Sequence, residues 1–411
     1  MGSGERETMN NYKPFLDWIV SEEKRMEFRV AQWAAVNSGT HNLPGLEQMA
    51  QILAEAFSAF DSPMERLTLS PEKKISSDGV MIEVPLGEAL SLVQRPEAKK
   101  RVFLGIHMDT VYSTDHPFQQ VQKVDDKILR GPGVTDAKGG IAVMLTALGA
   151  LERSPWAKNI GWEVLINPDE EIGSPGSAPL LLEAAKRSQL GLLFEPALSN
   201  GNLVSERKGS GNFVLVVHGR SAHAGRDFAS GRNAIPVLSE AILQIDAVNE
   251  RWPGVTVNVG RIEGGGSLNM VADLAICRIN VRCTQRQQQN DVREVFEDIV
   301  SGISLRDGFS AQLYGDFHAP PRPLDEPLKR WLVRAADCAQ ELGMNIRWEP
   351  TGGSCDGNRL SAAGLPTIDT LGPVGGEIHS PREYLFLDSL RQRAQLTALL
   401  LMKFASGEYE P

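Results

Sequence analysis

Two histidines and a scatter of carboxylates carry the chemistry of this sequence. In "LGIHMDTV", His107 and Asp109 stand two apart where an apolar run ends. Residues two apart on a strand share a face, and an imidazole oriented by a carboxylate is a common metal-ligand arrangement. Read alone, the pair fits a core histidine with an acidic neighbour equally well. In "RGPGVTDAKGG", Asp136 lies among glycines. The spacing matches neither the dinucleotide nor the P-loop fingerprint. It fits a tight turn, or a backbone packed closely enough to aim one carboxylate inward. "INPDEEIG" sets Asp169, Glu170 and Glu171 directly after a strand-like run. Neighbours on a regular strand point to opposite faces, so Glu170 and Glu171 can serve one site only if the backbone turns. Pro168 and Gly173 favour such a turn. Crowded carboxylates repel unless a cation sits between them. A divalent metal resolves the repulsion; a solvated acidic loop is the alternative for an isolated "DEE". Glu195 follows an apolar run in "LLFEPAL", and His379 follows a glycine turn in "GGEIHSPREY".

Each piece is weak by itself, and together they change the odds. His107, Asp136, Glu171, Glu195 and His379 form a set in which most members follow predicted strands. Open α/β sheets bind ligands at the carboxyl ends of their strands. Imidazole and carboxylate ligands without thiolates suit a pair of zinc or similar ions.

The elements that must position this set alternate. Two amphipathic helices are expected over 14–60, around the Asn-Ser-Gly-Thr turn at 37–40. Strands are expected at 100–112, 161–171 and 191–196, with helices at 138–154 and 177–190, Ser177 serving as a cap. That alternation predicts an α/β sheet covered on both faces. From residue 209 the order becomes β-α-β-β-α-β, the ferredoxin-like plan, and it fills 209–318. A helix at 328–343 and a buried strand at 366–372 complete the first sheet. The expected division is 1–208 for the first part of a metal-binding catalytic domain, 209–320 for an inserted lid, and 321–411 for the remainder of the catalytic domain.

The chain has 411 residues, 42% of them apolar and 23% charged, as in an ordinary globular protein. A net charge of −10 argues against a nucleic-acid or anionic-membrane surface. The apolar run at 141–152 is too short to span a bilayer. Four cysteines, none in a C-x-x-C pair, suggest neither a thiolate zinc site nor a disulfide scaffold, and make the cytoplasm the expected compartment.

The sequence resembles the co-catalytic zinc amidohydrolases that include carboxypeptidase G, the aminoacylases, acetylornithine deacetylase and succinyl-diaminopimelate desuccinylase. The matching stretches, in the family's order, are "GIHMDTV", "GPGVTDAKGG", "NPDEEIGSPGS", "FEP", "HGRSAHAG", "TGGSCDGN" and "GEIHSPREY". They run over roughly residues 100–385, and the carboxypeptidase G branch is the nearest. The resemblance implies a zinc-exopeptidase-like catalytic domain, a mixed sheet flanked by helices, interrupted by a ferredoxin-like lid and dimerisation domain. It implies two divalent ions per subunit, zinc first, with cobalt or manganese as alternatives. His107 and Glu195 would bind one ion, Glu171 and His379 the other, and Asp136 would bridge them. Glu170 would be the general base and Asp109 the orienting acid of His107, leaving Asp169 as a loop acid. His223, in "HGRSAHAG", would stabilise the oxyanion, often from the partner subunit of a homodimer. The Asp136–Ala137 peptide would be cis.

For substrate contacts the resemblance favours Asn269, Arg282, Gly352 and Gly353. Arg278, Asn280 and Arg282 alternate along "CRINVRC" and share one strand face. Arg282 reads as a carboxylate grip and Arg278 as part of a solvated face. The implied reaction is hydrolysis of an amide bond next to a free carboxylate in a small peptide or N-acyl amino acid, releasing a C-terminal residue such as glutamate. An N-acyl-amino-acid deacylase is the alternative. A silent binding protein on the same fold is the alternative of another class, and the intact Glu170 and ligand set argue against it. "GDFHAPPRPLDEP" and Cys355 depart from the carboxypeptidase G pattern where specificity should reside.

Overall fold

The computed structural model describes residues 3–410. Its main sheet has six strands, in the order Glu65–Leu67, Ala89–Gln94, Gly161–Asn167, Arg101–His107, Leu190–Leu193 and Thr367–Ile368. The last four run parallel. Ala89–Gln94 is antiparallel to its neighbours, so the sheet is mixed. Every residue of Gly161–Asn167 is buried, as a parallel strand covered on both faces requires. Along Arg101–His107 the alternation sorts the two cores. Val102, Leu104 and Ile106 face helices Gly140–Arg153 and Leu387–Ser406. Phe103 faces helix Ala178–Arg187 and the start of Asp356–Ala362.

Helix Gly140–Arg153 enters the core so closely that a Cβ on Gly140 would lie 2.1 Å from the Phe194 carbonyl oxygen. Glycine is therefore required where the bridging-loop helix meets the strand that delivers Glu195. By length and composition the segment Val134–Arg153 could cross a membrane, but it is wholly buried inside the protein. It is a core helix longer than its most apolar stretch suggests.

Strands Thr256–Gly264, Leu274–Cys283, Gly209–His218 and Ser310–Ala319 form a second, antiparallel sheet in that spatial order. Helices Ala234–Asp246 and Arg286–Ser304 cover one face, with Leu215, Cys277, Leu238 and Phe296 in a separate core. This is the β-α-β-β-α-β plan expected from the pattern.

Three details differ from expectation. The N-terminal region makes three helices, Ser3–Ser21, Glu23–Ala34 and Leu43–Phe57, because the chain breaks at Glu22, letting Ile19 and Met26 both reach the core. Ser177 precedes its helix but caps nothing, since its hydroxyl donates to Asp169 Oδ1 (2.5 Å). The lid's polar face is not simply solvated. The hairpin of Glu72–Ile75 and Met81–Val84 leans on it, Ile75 packs against Val216 and Ile276, and Arg278 donates to the Ile75 carbonyl (2.8 Å) and pairs with Glu263 (2.6 Å).

Candidate active site

His107 ends its strand at the carboxyl edge of the sheet, and Asn167 ends the adjacent one. Beyond Asn167 the chain turns through a short 3-10 segment, Glu170–Ile172, closed by Gly173 at φ 89°. That turn lets both Glu170 and Glu171 line one cavity of about 160 Å³, together with His379, Arg282 and Ser354.

Asp136 sits at the centre. Its Oδ1 lies 3.1 Å from His107 Nε2 and its Oδ2 3.2 Å from His379 Nε2. His379 Nε2 is also 3.2 Å from Glu171 Oε2, and His107 Nε2 is 3.7 Å from Glu195 Oε2. The five residues singled out as a ligand set are thus brought together, although they span residues 107 to 379. His379 holds φ at 59°, and Glu377 at 55°. Left-handed backbone is costly for a side-chain-bearing residue, and here it returns the imidazole toward Asp136. The Asp136–Ala137 peptide is cis.

Asp109 does more than orient His107. Its Oδ1 faces His107 Nδ1 at 3.3 Å, and Thr40 donates to its Oδ2 (2.7 Å). The same two oxygens accept the backbone N–H groups of Glu170 and Glu171, each at 3.2 Å. The Asp109 backbone carbonyl meets His107 Nδ1 more closely, at 3.0 Å, so main chain and side chain of one buried residue together fix the histidine and the turn carrying the two glutamates. Asp169 points away from the cavity. It accepts from the Gly176 and Ser177 N–H groups and braces the following helix, as a loop acid.

The electrostatics show crowding. Burial raises the Glu170 carboxyl well above its ordinary range, and repulsion from Glu195, Asp356 and Glu171 adds to it. Burial, then Asp136, push Glu171 up to about 7. Burial also raises Glu195, against the pull of His107. For Asp136 burial acts upward, but hydrogen bonds from His107 and His379 win and hold it below the usual range. Hydrogen bonds to Asp136 and Glu171 carry His379 up to about 11. Four acids and two histidines aimed at one small volume are a donor set that fits divalent cations. One ligand atom from each of His107, Asp136 and Glu171 lies within 4.8 Å of the others.

The sequence profile of peptidase family M20/M25/M40 matches residues 103–403. The chain belongs to this family. M20 enzymes are metal-dependent hydrolases of peptide and related amide bonds. The chain is 27% identical over 312 residues to carboxypeptidase G2 of a Pseudomonas species, covering 75% of each protein. It is 24% identical over 339 residues to a succinyl-diaminopimelate desuccinylase of Hahella chejuensis, covering 76% of this chain and 85% of that one. Among solved structures, an M20 metallo-carboxypeptidase from Sulfolobus solfataricus superposes with a TM-score of 0.70 at 15% identity, covering 93% of this chain and 99% of that one. At that identity the likeness speaks for the M20 fold alone.

The remaining sequence-predicted residues divide. Arg282 reaches the cavity from the lid and donates to Ser354 Oγ (2.8 Å). Gly352 and Gly353 are both exposed and do not line it; Gly353 only precedes Ser354, which does, and its carbonyl accepts from Arg207 (3.3 Å). His223 and Asn269 do not line the cavity. They sit side by side on the far edge of the lid, both exposed, where the Ala224 N–H donates to the Asn269 carbonyl (2.9 Å).

Several contributors escaped the sequence reading. Glu383 is fully buried and accepts the N–H groups of Gly133, Thr135 and Asp136 at 2.9–3.0 Å, plus the Tyr112 hydroxyl (2.9 Å). It holds the loop that presents Asp136. His318 and Arg359 line the cavity, and burial, then Arg359 and Arg282, lower His318 to about 4. Arg207 is buried beside Asp369, and its charge pulls on Glu195. Glu383 lies inside "GEIHSPREY", so its motif was visible although its role was not.

Proposed function

We propose that the protein is a dinuclear metal-dependent carboxypeptidase, cleaving the amide bond next to a free α-carboxylate and releasing a single amino acid such as glutamate. The observation that carries this reading is Asp136, whose two oxygens face two different histidines, each with a further glutamate beside it. His107 and Glu195 would hold one ion, Glu171 and His379 the other, with Asp136 shared. Bound there, two divalent ions, zinc first, would polarise the scissile carbonyl and acidify the attacking water.

The chain's own residues supply the rest. Two cavity carboxylates lie outside the ligand set: Asp356 is taken up by Asn167 and Ser174, which leaves Glu170. Burial raises its proton affinity, as suits a group that takes a proton from water and passes it to the leaving nitrogen. Arg282 can grip the α-carboxylate through two parallel hydrogen bonds and so aim the carbonyl. His223 is the donor for the developing oxyanion, and its absence from the lining of its own cavity supports a contribution to a second subunit. Among the described residues, the lid's edge strand Thr256–Gly264 has no neighbour on its outer side. Ile262 is exposed on it, Leu268 and Met270 in the loop that follows, and Leu243 on the adjacent helix. An unpaired strand edge beside apolar side chains favours a homodimer through the lid.

The likeness to a desuccinylase favours one second reading, an N-acyl-amino-acid deacylase acting on the same bond. The deciding experiment combines metal analysis with a substrate panel. Peptides and N-acyl amino acids are compared as free acids and as α-amides. Two ions per chain and strong preference for free acids are expected. Equal cleavage of acids and amides would reject the carboxypeptidase reading.

A further inference from the structure

The catalytic cavity is not closed on the lid side. Ile172, Gly173, Asn212, Asn280, His318 and Arg359 line both it and a larger groove of about 530 Å³. The groove runs between the Glu72–Val84 hairpin and the polar face of the lid sheet. Glu170, Glu171, His379 and Arg282 line the small cavity and not this groove; Glu171 also borders a separate groove of about 420 Å³ near Thr40 and Thr110, which holds no Lys or Arg.

We infer that this groove is the binding site for the acyl side of the substrate, and that it takes an extended acyl group with an apolar body and an anionic far end. The inference rests on the hydrolase reading above. The leaving residue is a single amino acid held by Arg282, and a volume of about 160 Å³ suits it. The acyl part is the part whose length can vary, and the groove is the space that can receive it.

The lining sets its chemistry. Ile75, Met81, Ile172 and Tyr314 give apolar walls for a chain or ring. Five Lys or Arg side chains line the groove against two acids, in a chain whose net charge is −10. Arg261 and Arg278 share the single carboxylate of Glu263, at 2.8 and 2.6 Å. Two guanidinium groups on one carboxylate leave a positive charge to spare at that end. A local cation excess in an acidic protein selects an anionic group there. An anchored acyl group also leaves less freedom at the scissile bond, so kcat/KM and not binding alone should rise.

The test compares N-acetyl-, N-octanoyl- and N-octanedioyl-glutamate with the zinc-loaded full chain and with Arg261→Glu. Arg261 is about two-thirds exposed, so the variant should fold. For wild type, kcat/KM is expected to be about tenfold or more higher for the octanedioyl than for the acetyl substrate, with the octanoyl substrate between them. Arg261→Glu should cut the octanedioyl-to-octanoyl ratio by about fivefold, an effect that weakens in high salt. A flat series, or an unchanged ratio, overturns the groove and leaves the hydrolase reading intact. No hydrolysis of any panel member overturns the hydrolase reading instead. The groove is then decided by calorimetry with octanedioate itself. Binding about fivefold weaker in Arg261→Glu supports the site, and equal binding rejects it.

Discussion

The cavity at the sheet edge and the outer edge of the lid carry the two groups of residues that resemblance links to one reaction, and they are built in opposite ways. Around the cavity most groups are tied down from several sides, and even His379, half exposed, is held between Asp136 and Glu171. Asp109 holds His107 through its carbonyl and its carboxylate and accepts from the backbone of Glu170 and Glu171, and Glu383 fixes the loop of Asp136. At the lid edge His223 is exposed, and its Nδ1 only accepts from the N–H groups of Gly225 and Arg226. Rigid, buried placement is what metal ligation needs, because a ligand displaced slightly is a ligand lost. An exposed, locally held histidine suits a site completed by a second chain. On the proposed function, one chain holds the metal chemistry and a second chain supplies His223.

The largest effect should come from emptying the cavity. Chelation is expected to abolish turnover, and zinc or cobalt to restore it. Full activity in a preparation shown by elemental analysis to be metal-free would break the first half of the comparison. Next is His223→Ala, expected to lower kcat about 10²–10³-fold, as for loss of an oxyanion donor, with metal content unchanged. Mixed with inactive Glu170→Gln chains it should regain activity, because one site of the mixed dimer keeps both groups. Heterodimers that form and stay inactive would place His223 outside the partner's reaction.

Asp109→Asn sharpens the buried side. It weakens both the His107 contact and acceptance from two N–H groups, so metal affinity should fall about 10–100-fold. Competition titration with a zinc chelator reads this directly, and an unchanged affinity would deny Asp109 its bracing role. Arg282→Lys should have the smallest effect, about a tenfold loss in kcat/KM, because lysine cannot reproduce a bidentate grip. The loss should be specific to free-acid substrates; an equal loss on α-amides would mean that Arg282 positions something other than the carboxylate.

Much of the ligand set was legible because it obeys a local rule: an acid or histidine placed just past an apolar run. His107 and Glu195 are such residues, and the Pro168-to-Gly173 turn announced that two adjacent glutamates could share a site. Glu383 obeys no local rule. Its N–H partners lie 247–250 residues away, and nothing in its own neighbourhood separates it from Glu377. Arg278 was misread because strand alternation identifies a polar face without saying what covers it. The hairpin that covers it comes from the 72–84 region, which carries no motif. The same blindness hid the groove, which exists only where hairpin and lid meet.

On the proposed function Glu170 moves protons while its neighbour Glu171 binds metal, a distinction between adjacent side chains of the same type. Glu170→Gln tests it directly, since the amide keeps the size of the side chain and loses the base. Metal content by elemental analysis should remain at two ions per chain while kcat falls by about 10²–10⁴-fold or more. Turnover within a few-fold of wild type, or loss of an ion from the variant, would contradict the assignment.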